Sequence, residues 1–120
     1  MQSLRIAVAE DSRAQRLFLT KLLEKLGHSV VCAAENGQEL KSKCDGIEFD
    51  LAILDLDMPV VDGLTMAEEL WLERKIPVIL VSAHSDLEHV NAAVEPISAC
   101  VSKPISIAEL ESAINQAMQS

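Results

Sequence analysis

Five short apolar runs, separated by stretches with helical periodicity, constrain this sequence more than any other feature. They are Leu4 to Ala9, Ser29 to Ala34, Asp50 to Leu54, Val78 to Val81 and Ala99 to Val101. Between Leu51 and Leu54 no polar residue intervenes, which is the pattern of a strand buried on both faces. Strands of that kind belong to parallel sheets, and each parallel crossover needs enough chain to hold a helix.

The intervening stretches supply those helices. Asp11 or Ser12 can cap a helix with Leu19, Leu22, Leu23 and Leu26 along one face, and Gly27 is its expected stop. After the turn at Asn36-Gly37, a weaker helix runs from Gln38 to Cys44 with Leu40 and Cys44 inward. Leu64, Ala67, Leu70 and Trp71 mark a third helix, and Leu87, Val90 and Val94 a fourth, capped by Asp86 and ended by Pro96. Ser106 caps a last one, with Ile107, Leu110, Ile114 and Met118 at helical spacing. Strands alternating with helices predict an α/β fold: a doubly wound, five-stranded parallel sheet with helices on both faces. The length of 120 residues suits one domain, residues 1–120, and no repeat or linker divides it.

Composition narrows the function. A net charge of -9, with ten basic residues scattered along the chain, argues against direct nucleic-acid binding and suits cations or basic partners. The start carries no charged segment followed by a long apolar run, and no window approaches the ~20 apolar residues of a membrane span, so a cytoplasmic protein with no membrane segment is expected. Cys32, Cys44 and Cys100 are odd in number and lack CxxC spacing, which predicts free buried thiols rather than a disulfide or a zinc site. His28, His84 and His89 share no ligand spacing and are expected at the surface. Trp71 reads as a partly buried helix residue and Cys100 as a small core residue.

The strand ends hold the chemistry. Glu10 and Asp11 follow the first run, Asp55 and Asp57 the third, Ser82 the fourth, and Lys103 comes directly after the fifth. Singly, each reads as an ordinary turn or loop residue. A parallel sheet gathers the carboxyl ends of its strands at one edge, where such folds bind their ligands. Three carboxylates brought together there repel one another, and a hard divalent cation, Mg²⁺ (or Mn²⁺), relieves the repulsion. One Lys and one Ser beside them suit a phosphoryl group.

These residues, in this order and spacing, resemble the motif set of response regulator receiver domains of two-component signalling, of the chemotaxis-regulator-like kind. The matching positions are Glu10-Asp11, Asp55 within the segment to Pro59, Gly63, Ser82 and Lys103-Pro104, and the likeness covers essentially the whole chain. It implies a flavodoxin-like sheet of strand order 2-1-3-4-5. It also implies that Asp55 accepts a phosphoryl group from the phosphohistidine of a sensor histidine kinase or phosphotransfer protein. Glu10, Asp11, Asp55 and the backbone carbonyl of Asp57 would hold Mg²⁺, while Lys103, Ser82 and N–H groups near Asp57 and Ala83 would meet the transferred charge. Such a domain is a regulator rather than an enzyme, loses its phosphoryl group slowly to water, and signals through a downstream protein or an output domain outside this sequence. A homodimer through its last two helices is compatible with the family.

The sequence departs from the family at two places. Cys100 stands where an aromatic usually reports phosphorylation by rotating inward, so the switch uses other side chains or the output is weakly coupled. Pro96 stands where a Gly is usual, which alters the loop before the last strand. Two other readings compete. Asp55-Leu-Asp57 resembles the opening motif of haloacid-dehalogenase-like phosphatases, although those place it on the first strand. A receiver-like binding module that is never phosphorylated is the other.

Overall fold

A computed structural model of the chain describes residues 3–55, 63–82 and 97–119. Its order is β1 (Arg5–Ala9), α1 (Arg13–Lys25), β2 (Ser29–Ala34), α2 (Gly37–Lys43), β3 (Leu51–Asp55), α3 (Gly63–Arg74), β4 (Val78–Ser82), β5 (Ile97–Ser102) and α4 (Ile107–Met118). The helix expected around Leu87 to Val94 lies outside the described residues. All four strand pairings are parallel, in the order β2-β1-β3-β4-β5. This is the doubly wound, flavodoxin-like order expected, and it puts β3 in the middle.

Each strand is two-sided, and its residues divide between two cores. Ile6, Val8, Leu51, Ile53, Ile79 and Val81 face α1 and α4, where Leu19, Leu23, Leu110 and Ile114 meet them. Ala7, Ala9, Ala34, Ala52 and Leu54 face the other way, onto Leu40 of α2 and Met66, Ala67 and Leu70 of α3. The alanines on that side let α2 and α3 lie close to the sheet. β3 and β4 are buried along their whole length, as their unbroken apolar runs require.

The helix ends follow their local chemistry. The Ser12 side chain accepts from the Gln15 N–H at 3.3 Å and caps α1, and Gly27, at φ 92°, turns the chain after it. Asn36 caps α2 by accepting from Glu39 N–H at 2.8 Å, and Ser106 caps α4 by accepting from Glu109 N–H at 3.1 Å. The inward stripe of α4 is Leu110, Ala113, Ile114 and Ala117, while Ile107 and Met118 are exposed. The two ends of the expected stripe therefore face outward, because the alanines complete the inner face in their place. Arg5, which interrupts the first apolar run, is explained by its exposure. It bonds to Asp50 and Glu48 at the start of β3, at the sheet edge opposite the strand ends.

Two further expectations are corrected. Cys32 and Cys44 are paired in a disulfide, with their Cα atoms 6.2 Å apart, and only Cys100 is free. The cause is a bulge. Ile6 pairs with Val30 but Ala7 pairs with Cys32, so Val31 is an extra residue and Cys32 turns toward the end of α2. His28 is buried rather than superficial, and its Nδ1 accepts from the Leu4 N–H at 3.1 Å. Burial lowers its pKa, and that hydrogen bond requires the neutral ring. His84 and His89 lie outside the described residues. Trp71 is partly buried, as expected, and Cys100 packs against the core from a half-buried position.

Candidate functional site

The central strands β1 and β3 pair from Ile6 to Ala9 against Leu51 to Leu54, so the chain leaves both at the same edge. Glu10 and Asp55 follow directly from that register and meet there, both almost fully buried. Asp11, one residue further, is exposed. Carboxylate oxygens of Glu10, Asp11 and Asp55 all lie within 4.8 Å of one another.

Lys103 enters from the end of β5 and spans two of these acids. Its Nζ is 3.0 Å from Glu10 Oε1 and 3.3 Å from Asp55 Oδ2. The backbone reinforces the approach, since Lys103 N–H donates to the Ser82 carbonyl at 2.9 Å. Ser82 itself is buried at the end of β4, beside β5. The Lys103–Pro104 peptide is cis.

Glu10 is held more firmly than its sequence position suggests. Its Oε2 accepts from the Ser12 N–H at 3.1 Å, its own N–H donates to the Ala34 carbonyl at 3.0 Å, and its carbonyl accepts from Arg16 Nη1 at 2.8 Å. Burial, followed by a hydrogen bond shared with Asp11, pushes its pKa up to about 7, although Lys103 and the Ser12 N–H pull the other way. Lys103 moves upward as well: burial works against its charge, but the bond to Glu10 and the field of Asp55 prevail. One amine among three acids stabilises its own charge without relieving all of theirs.

The structure therefore brings together Glu10, Asp11, Asp55, Ser82 and Lys103 from four strands. Asp57, with its backbone carbonyl, and Ala83 lie outside the described residues. Sequence reasoning did not single out Arg16, which clamps the Glu10 carbonyl from the first turn of α1. Its place on the helix face turned back toward the acid pair was the available signal. Nor did it mark Gln15 and Phe18, which line a cavity of about 320 Å³ shared with Glu10, Asp55, Lys103 and Ile105.

Comparison with known proteins identifies the family. Residues 6–115 match the response regulator receiver domain model. The chain belongs to the response regulator receiver domain family. It is 33% identical over 115 residues to the transcriptional regulatory protein PdtaR of Mycobacterium tuberculosis, covering 95% of this chain and 56% of that protein. It is 37% identical over 110 residues to the two-component response regulator ARR10 of Arabidopsis thaliana, covering 88% of this chain and 19% of ARR10. The sensory/regulatory protein RpfC of Xanthomonas campestris pv. campestris is 34% identical over 116 residues, which make up 92% of this chain and 16% of RpfC. The chain thus spans only part of the length of these relatives. Among solved structures, a response regulator receiver domain protein from Clostridium thermocellum superposes with a TM-score of 0.83 at 26% identity, covering 96% of this chain and 94% of that one. The signal receiver domain of a modulated diguanylate cyclase from Desulfovibrio desulfuricans G20 has the same fold, with a TM-score of 0.86 over 98% of this chain and 95% of that one, at 24% identity. As a member of this family the chain is a two-component signal-transduction domain. Among the described residues, no helix is long and apolar enough to cross a membrane.

Proposed function

We propose that residues 1–120 form one cytoplasmic phosphoacceptor domain. In it Asp55 receives a phosphoryl group from the phosphohistidine of a sensor histidine kinase or phosphotransfer protein. The observation that carries this reading is Lys103 lying within reach of both Glu10 and Asp55 at the edge where three carboxylates converge. An Asp55 oxygen forms the new P–O bond while the P–N bond to the donor histidine breaks, leaving an aspartyl phosphate and a histidine. Lys103 and the Ser82 hydroxyl meet the charge on the phosphoryl oxygens.

The donor set fits a hard divalent cation. The ligands are carboxylate oxygens, the hard donors that Mg²⁺ takes. Glu10, Asp11 and Asp55 would hold it, with the Asp57 carbonyl as a further oxygen. When bound, Mg²⁺ neutralises charge on both the acids and the phosphoryl group. The chain's own part is to keep Glu10 in place through Ser12, Arg16 and Ala34, and to keep Lys103 over the acceptor.

Leu17 and Phe18 are about half exposed on α1, and Phe18 lines the cavity beside Asp55 and Lys103. This exposed apolar pair on α1, with Phe18 beside the reacting carboxylate, suits the face of a donor protein. Onward signalling would use protein contacts, either with a separate target or with an output domain. The domain acts as a regulator, and water slowly removes its phosphoryl group. The phosphatase reading draws no support from the family match, and a binding module without phosphorylation leaves the Lys103–Asp55 geometry without a use.

The test is incubation with acetyl phosphate or phosphoramidate and Mg²⁺, followed by intact mass. A gain of about 80 Da that disappears in Asp55→Ala supports the proposal, and no gain under any of these conditions refutes it.

A further inference from the structure

On the face of the sheet covered by α2 and α3, away from Asp55, Cys32 and Cys44 are paired. We propose that this pair is a reversible thiol–disulfide couple that fastens α2 to β2, giving the domain a modification site independent of the acceptor chemistry.

Three observations carry it. The Cα atoms of the two residues are 6.2 Å apart, within the range a disulfide spans without moving the backbone. The placement is specific, because the β2 bulge at Val31 turns Cys32 toward α2 and Cys44 is the residue that ends α2. Both sulfur-bearing residues are buried, yet Cys44 lines a cavity of about 320 Å³ with Lys41, Asp45, Phe49 and Arg74, which gives a small thiol or disulfide a route to it.

The helix it fastens is short. α2 has seven residues, held by the Asn36 cap, by buried Leu40, and by Lys43 reaching Glu39 at 3.0 Å and the Ala33 carbonyl at 3.2 Å. A helix of that length is not stable alone, so one covalent bond at its end is a large part of its attachment.

The exchange balances with a low-molecular-weight disulfide as oxidant. The Cys44 thiolate attacks one sulfur of the disulfide, whose S–S bond breaks and releases one thiolate. The Cys32 thiolate then attacks the Cys44 sulfur and releases the second. Two electrons pass from the cysteine pair to the reagent, and the protons given up by the two cysteines end on the two departing thiols. Excess low-molecular-weight thiol runs the same steps backwards.

The test uses the full chain equilibrated across ratios of reduced to oxidised glutathione, quenched with acid, denatured and alkylated with N-ethylmaleimide for intact mass. All three cysteines take label in reducing buffer and Cys100 alone in oxidising buffer, with one two-electron transition between them. Cys100→Ser keeps that transition and Cys44→Ser removes it. The oxidised wild type melts on the order of 10 °C higher than the reduced, and amides of α2 exchange more slowly. Three labels at every ratio would overturn the proposal, as would glutathione adducts in place of the bond, or a bond that changes neither melting nor exchange. Comparing two states of the wild type keeps the result independent of whether a variant folds.

Discussion

Lys103 Nζ stands 3.3 Å from Asp55 Oδ2, so a fixed positive charge faces the proposed acceptor before any phosphoryl group arrives. Lys103→Ala removes that charge. Asp55 phosphorylation by acetyl phosphate should then slow by roughly 10²–10³-fold, the usual cost of losing one preorganised group that meets transition-state charge. Lys103→Arg should recover only part of the rate, because a planar guanidinium does not replace a compact ammonium between two acids. Single-turnover mass spectrometry reads both rates, and a Lys103→Ala rate equal to wild type would remove Lys103 from the chemistry.

Glu10, with a pKa of about 7, couples metal binding to pH. A carboxyl group must lose its proton to become a ligand, so Mg²⁺ affinity should rise up to about tenfold per pH unit below 7 and level off above it. Calorimetric titration from acidic to mildly alkaline buffer checks this. Affinity independent of pH would contradict it.

The same group affects folding in the metal-free state. The folded pKa of Glu10 lies above its unfolded value, so its stabilising contribution is present below about pH 4.5 and lost as pH rises through about 7. At pH 8 the buried carboxylate is a liability, and Glu10→Gln should raise stability by about 1–3 kcal/mol in chelator. Adding Mg²⁺ should favour the wild type and not the variant. Urea melts with and without the metal distinguish the two, and a destabilised Glu10→Gln at pH 8 would count against the prediction.

His28 acts in the opposite direction. Its folded pKa is depressed by burial, so the folded state resists protonation, and stability is lost as pH falls below the unfolded value near 6.5. Protonation also takes the acceptor from the Leu4 N–H, which adds to the loss. His28→Gln should flatten this acid limb below pH 6.5. An acid limb of unchanged slope in the variant would assign it to other groups.

Leu80, fully buried between β3 and β5, gauges the core on the α2–α3 side. Leu80→Ala should cost about 2–5 kcal/mol in a denaturant titration. A cost below 1 kcal/mol would mean that neighbours collapse into the space.

Much of this was legible because it follows from periodicity and strand direction. The stretches from Ile6 to Ala9, Leu51 to Leu54 and Val78 to Val81 are uniformly apolar, so their strands, their parallel pairing and the gathering of Glu10, Asp55 and Ser82 at one edge follow from pattern alone. What escaped depended on single-residue geometry. The Cys32–Cys44 pair arises from the one extra residue at Val31, and an odd cysteine count conceals it. The inward face of α4 uses Ala113 and Ala117, which carry little hydrophobic signal, whereas the larger Ile107 and Met118 at helical spacing point outward. His28 is buried because the Leu4 N–H needs a partner 24 residues away, a requirement no local window contains.

The strand order has a consequence for durability. β3 has neighbours on both sides and both faces covered, whereas β2 and β5 are rims. Rims open first in local fluctuations, and a central strand opens only with the whole domain. Asp55 is therefore mounted on the part of the molecule with the longest structural memory. Cys32 and the approach of Lys103 belong to the two rims, where small changes are made and undone without unfolding the centre.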